Sequence, residues 1–267
     1  MSRVAICTDS SALFAPGVAE RLGVTLVPIG ISLDGEAYRS VDADDFYSRL
    51  LAGASATTSL PSPGVFLEAY RAAAARGAES VLSVHVDARV SATVASAELA
   101  AREVEIPVVV VDSGTVSYGL GACVSAAAAA VSAGRSEAEA AREAVQLGRM
   151  MKSIFVTASA PNGRVRAAVG WAVLSFSDGV ATPDAVYDSA TAATEAMAAR
   201  VLSDAGPRAA AVGHAAAAVL PWADALAQLL EGDPATDTVE RYRVTPPVGA
   251  HTGPLSFGAF WWPNDPS

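Results

Sequence analysis

Short apolar runs alternate with stretches of helical periodicity through the first half of the chain. Residues 4–7, 24–29, 81–86 and 108–111 are strand-like, the last fully apolar. Between them, residues 16–22, 63–76, 93–104, 119–133 and 136–150 read as helices. In the segment 63–76, Val65, Phe66, Ala69 and Tyr70 recur at helical spacing. Asp34-Gly35 is a hairpin signal between two short apolar stretches. Asp42, Asp44 and Asp45 open a helix carrying Phe46, Leu50 and Leu51, where carboxylates suit the helix dipole. Strands alternating with helices of this length predict a parallel sheet covered on both faces.

The second half has a different rhythm. Residues 154–158 and 167–176 read as strands, with a turn at Pro161-Asn162-Gly163 and a hairpin at Asp178-Gly179. Helices are expected over 190–202 and 222–230, and strands over 209–212, 239–244 and 256–262. That is an α+β pattern with antiparallel character. The expected fold class is therefore α/β: an N-terminal parallel-sheet domain, residues 1–155, plus a smaller α+β C-terminal domain, residues 156–267.

Composition narrows the function. The 267 residues carry 18 Lys+Arg against 28 Asp+Glu, a net charge of −10. This disfavours nucleic acid, whose phosphates call for clustered cations, and a polybasic membrane-surface mode. Lys152 is the only lysine, so Schiff-base or phosphate-loop chemistry has one candidate. A mean hydropathy of +0.34 excludes a disordered chain. Cys7 and Cys123 lack metal-ligand or dithiol spacing and read as buried apolar side chains, so no metal site is expected. No leader-like apolar segment opens the sequence, and the uncharged stretch 113–134 is too weakly apolar to span a bilayer. A soluble cytoplasmic protein is expected.

Familiar catalytic motifs are missing. GxxxxGK[ST] and HExxH do not occur, Gly114 to Gly119 misses GxSxG by one position, and Gly119-Leu120-Gly121 lacks a glycine at 124. What remains is a series of hydroxyl-rich segments expected as loops after strands: Thr8-Asp9-Ser10-Ser11, Thr57 to Ser62, Ser91-Ala92-Thr93 and Asp112-Ser113. At the carboxyl ends of parallel strands such loops and the following helix N-termini can receive an anion. Each hydroxyl can equally be a helix cap. Of three histidines, His85 and His214 fall in or at strands and read as structural. His251 lies in the Gly/Pro-bounded stretch 249–254, expected as a loop, and is a candidate carboxylate partner.

The order of these segments resembles the DegV family of fatty-acid-binding proteins. It comprises Thr8-Asp9-Ser10-Ser11, Thr58-Ser59-Leu60-Pro61-Ser62, Ser91-Ala92-Thr93, Asp112-Ser113 with Ser117 to Gly121, Asn162-Gly163-Arg164-Val165, and His251-Thr252-Gly253-Pro254. The resemblance covers nearly the whole chain. Ala92 and Asn162 stand where the family pattern has glycine, and 185–188 lacks the basic residues often found there.

The resemblance implies a non-enzymatic carrier with one long-chain fatty acid buried between two domains and no other cofactor. By position it assigns Thr58, Ser59, Ser91, Thr93, Arg164 and His251 to the ligand carboxylate, which a partner fatty-acid kinase phosphorylates. The competing reading is a small-molecule enzyme using the same loops for a phosphate- or carboxylate-bearing metabolite.

Overall fold

The structure, a computed structural model, describes residues 3–40, 42–157 and 170–264. In chain order the elements are β1 (Val4–Asp9), α1 (Val18–Leu22), β2 (Thr25–Val27), β3 (Gly30–Leu33), β4 (Glu36–Tyr38), α2 (Ala43–Leu51), β5 (Ala56–Ser59), α3 (Pro63–Ala75), β6 (Ser80–His85), α4 (Thr93–Ala101), β7 (Val108–Asp112), α5 (Ser117–Ser132) and α6 (Glu137–Met150). Then follow β8 (Lys152–Thr157), β9 (Trp171–Ser177), β10 (Val180–Tyr187), α7 (Ala190–Leu202), β11 (Arg208–His214), α8 (Leu220–Glu231), β12 (Thr236–Arg243), α9 (Pro246–Thr252) and β13 (Phe257–Pro263). Two compact units emerge, one from Met1–Gly30 and Ser59–Met150, the other from Ile31–Thr58 and Met151–Ser267. Residues 31–58 thus leave the contiguous N-terminal stretch and cluster with the C-terminal one.

The first unit is built on a four-stranded parallel sheet, order β2-β1-β6-β7. Alternation along each strand sends side chains to opposite faces. Cys7 and Val81 pack with Phe66, Tyr70 and Ala73 of α3 and Ala97 and Ala100 of α4. Ile6, Leu82, Val84 and Val86 face α5 and α6, meeting Leu120, Cys123, Val124, Ala140 and Ala144. The double cover expected from the apolar runs is present, and both cysteines are buried and free. The order reverses direction at β1, so the β1/β6 junction is the switch point outside whose carboxyl ends ligands bind in such sheets.

The second unit has a six-stranded mixed sheet, order β10-β9-β8-β13-β11-β12, antiparallel except for β11/β12. Met197 and Val201 of α7 and Leu226 and Leu230 of α8 close its core with Ile154, Val156 and Phe257. The Asp178-Gly179 hairpin joins β9 to β10, and Asp34-Gly35 joins β3 to β4 of a small sheet ordered β4-β3-β5. Asp42 caps α2, accepting the Asp44 and Asp45 N–H groups at 2.8 and 3.4 Å.

Three local expectations change. Thr57, Thr58 and Ser59 lie in strand β5 rather than a loop, because the β-branched threonines fit an extended ladder. His251 is in the last turn of α9, not in a loop: Pro246 and Pro247 start that helix, where a missing N–H is harmless, and Gly253 ends it. Thr8 and Asp9 belong to β1, and Gly17 rather than any of the four polar residues precedes α1.

Candidate functional site

In the second unit, β5 and α9 bring Thr58 and His251 together. Thr58 Oγ1 lies 2.9 Å from His251 Nε2, although 193 positions separate them. Several contacts hold α9 in place. Tyr47 of α2 donates its hydroxyl to the Val244 carbonyl at 2.8 Å. Gly249 permits this approach, since a Cβ there would overlap the Tyr47 ring and hydroxyl. At the other end, Thr157 donates to the Thr252 carbonyl at 3.0 Å, and Ser256 donates to Thr252 Oγ1 at 2.8 Å. Thr58 is half-buried and His251 exposed, so the pair is open to solvent. A histidine at a helix C-terminus sits where the helix dipole favours positive charge.

In the first unit, the turn after β6 carries a second hydroxyl pair. Ser91 Oγ and Thr93 Oγ1 are 2.7 Å apart, and the Thr93 N–H donates to Ser91 Oγ at 3.3 Å. Ser91 therefore supports the first turn of α4 as well as presenting a hydroxyl. Thr93 is fully buried and Ser91 half-buried. Ala92 has φ −79°, so the turn does not require the glycine of the family pattern. Ser59 points away from Thr58, as strand alternation demands, and its hydroxyl lies against Gly30. Arg164 and the Asn162-Gly163 turn lie outside the described residues.

Other motif residues turn out to be structural. A Cβ on Gly121 would overlap the Leu13 carbonyl, so this glycine lets the 10–16 segment cross the first turns of α5. Gly148 likewise admits the Ser113 carbonyl against α6.

Sequence reasoning passed over a buried chain of polar side chains. The Tyr70 hydroxyl and Ser83 Oγ are 2.9 Å apart, Ser83 Oγ and His85 Nε2 2.7 Å, and His85 Nδ1 and Asp9 Oδ2 3.0 Å. Ser83, His85 and Asp9 have the spacing of a Ser–His–carboxylate relay. Yet all three are fully buried, and Phe66 stacks edgewise on the imidazole at 5.0 Å. The Ser83 hydroxyl therefore has no face toward a substrate. Burial alone would push the Asp9 pKa up, but the hydrogen bonds it accepts from His85 and Ser11 hold it below the usual carboxylate range. Burial pushes the neighbouring Cys7 thiol up to about 12, so it is not a reactive thiolate. The signal available in sequence was the i, i+2 pair Ser83/His85, which shares one strand face.

The model of the family described as an uncharacterised protein, DegV family, matches residues 3–264. The chain belongs to the DegV family. A DegV domain-containing protein of Streptomyces coelicolor is 41% identical over 146 residues, 52% of this chain and 51% of that protein. The chain thus spans about half the length of that relative. A DegV domain-containing protein of Mycobacterium bovis is 30% identical over 272 residues, 96% of this chain and 95% of that one. Among solved structures, a DegV family protein from Thermus thermophilus described for fatty acid binding superposes with a TM-score of 0.83 at 26% identity, covering 98% of this chain and 100% of that one. A Thermotoga maritima protein, 21% identical, shares the fold with a TM-score of 0.88 over 99% of this chain and 100% of its own. Among the described residues, no group of three or more His, Cys, Asp or Glu could hold a metal, and no helix is long and apolar enough to cross a membrane.

Proposed function

We propose that this DegV protein is a cytoplasmic fatty-acid carrier that buries a long acyl chain and presents its carboxylate to a partner acyl kinase. The observation that carries this reading is the Thr58–His251 pair, two donors from distant chain segments meeting at 2.9 Å in an open position. With a proton on Nε2, His251 donates to Thr58 Oγ1 and leaves the threonine hydroxyl to donate onward to a carboxylate. By family position, Ser91, whose hydroxyl lies 2.7 Å from that of Thr93, and Arg164 are assigned to the carboxylate as well. A carboxylate so bonded stays ionised and nucleophilic, as attack on a phosphoryl group requires. Similarity to the Thermus thermophilus protein supports the choice of ligand. Each buried methylene contributes about 0.8 kcal/mol, so the acyl chain supplies most of the affinity and the polar groups set its orientation.

Organic extraction of freshly purified protein followed by mass spectrometry tests this proposal. One fatty acid per chain is expected. A stoichiometric phosphorylated or short-chain metabolite would favour the enzymatic reading, and protein that neither carries nor takes up a fatty acid would refute the carrier.

A further inference from the structure

The buried chain running from Tyr70 to Asp9 ends on a carboxylate that ties two strand ends together. Asp9 Oδ1 accepts the Ser11 N–H at 3.1 Å and also the Ser11 hydroxyl, fixing the segment that leaves β1. Asp9 Oδ2 accepts the Val86 N–H at 3.3 Å together with His85 Nδ1, fixing the segment that leaves β6. From Val86 the anchoring continues through backbone bonds. The Asp87 N–H donates to the Thr115 carbonyl at 3.0 Å, and the Asp87 carbonyl accepts Ser91 N–H at 3.2 Å. Ser91 then meets Thr93 at 2.7 Å.

The chain also has a preferred direction. With the imidazole proton on Nδ1, Tyr70 donates to Ser83, Ser83 donates to His85 Nε2, and His85 donates to Asp9, so every proton has an acceptor. A proton added at Nε2 turns that nitrogen into a donor and takes away the acceptor of the Ser83 proton. Buried donors without acceptors are costly, so the chain locks one tautomer and one orientation of Asp9.

We propose that Asp9 and His85 are positioning residues for the Ser91–Thr93 hydroxyl pair: the buried relay orients the Asp9 carboxylate, which sets the start of the loop that carries Ser91. Its consequence for fatty-acid affinity rests on the carrier reading, whereas its consequence for loop order does not.

Amide hydrogen exchange of residues 86–93 in the ligand-free protein is measured beside the dissociation constant for a fluorescent fatty acid. The variants are Asp9→Asn, His85→Asn and His85→Leu, with Leu226→Ala in the other unit as a packing control. Asp9→Asn is expected to speed exchange at Val86 and Ser91 at least tenfold and weaken fatty-acid binding at least tenfold. Leu226→Ala leaves both within twofold. His85→Asn keeps an N–H near the Nδ1 position and recovers most of both signals, and His85→Leu does not. If Asp9→Asn fails to fold, the two His85 variants carry the comparison. Unchanged exchange over 86–93 in Asp9→Asn or His85→Leu overturns the proposal, and so does equal behaviour of His85→Asn and His85→Leu. Wild-type protein that binds no fatty acid while exchange follows the expected pattern overturns the carrier reading and leaves the relay standing.

Discussion

Thr58 and His251 share a 2.9 Å hydrogen bond across 193 positions of sequence. Neither residue is placed by local pattern alone: Thr58 depends on the pairing of β5 in its small sheet, and His251 on the docking of α9 against α2. Two groups bonded to one another and, on the proposed function, to one carboxylate should be thermodynamically coupled.

That coupling is measurable. Thr58→Val and His251→Phe should each weaken fatty-acid binding by about 1.5–3 kcal/mol, the scale of a hydrogen bond to a charged group. The double variant should lose less than the sum of the two by ~1 kcal/mol. Titration of the four proteins with one fatty acid reads this directly, and strict additivity would mean that the two side chains act on different parts of the ligand or on none.

Gly249 is expected to be intolerant of a methyl group. A Cβ there meets the Tyr47 ring and hydroxyl, so Gly249→Ala should destabilise the fold by about 1–3 kcal/mol through overpacking. Tyr47→Phe removes the worst overlap and forfeits the bond to Val244, which alone costs about 1 kcal/mol. Denaturant unfolding of Gly249→Ala in the Tyr47→Phe background should show a smaller penalty than in wild type. An equal penalty in both backgrounds would place the strain elsewhere.

Asp204 makes stability pH-dependent. Burial raises its pKa, but Lys152 Nζ at 2.8 Å, Trp261 Nε1 at 2.6 Å and Arg200 outweigh that and bring it down to about 2. A carboxylate depressed in the folded state stabilises fully above its unfolded value near 4 and loses that contribution as pH falls through the folded value. Its side chain is 26% exposed, so solvent screening reduces the gain to about 1 kcal/mol. Asp204→Asn should lower stability by that order at neutral pH, with the gap to wild type closing between pH 4 and 2. A gap that persists at the acid end would assign it to the neutral hydrogen bonds.

Much of the architecture was legible because its cause is local. The apolar run Val81 to Val86 is buried on both faces of the parallel sheet, and Val108 to Val111 forms the half-buried edge strand beside it; strands covered on both faces need no alternation. The Asp34-Gly35 and Asp178-Gly179 hairpins are written in their turn residues: Asp34 and Asp178 have φ of 51° and 53°, and their glycines 85° and 78°. Breakers misled at α9: Gly249, Gly253 and Pro254 made 249–254 read as a loop, whereas Pro246 and Pro247 start a helix, Gly249 allows its contact with Tyr47 and Gly253 ends it. The Asp9–His85 contact spans 76 positions and joins neighbouring parallel strands. Nothing in local periodicity records such a pairing. The same holds for residues 31–58, whose partners are set by packing with the C-terminal half.

On the proposed function, the ligand carboxylate is held, ionised, at His251 and Thr58. Carbon-13 NMR of a carboxyl-labelled fatty acid bound to the protein measures this most directly. A single bound carboxyl resonance is expected at the ionised position at neutral pH, displaced in His251→Gln and Thr58→Val and unmoved in His214→Gln. A bound resonance at the protonated position, or one indifferent to His251 and Thr58, would contradict it.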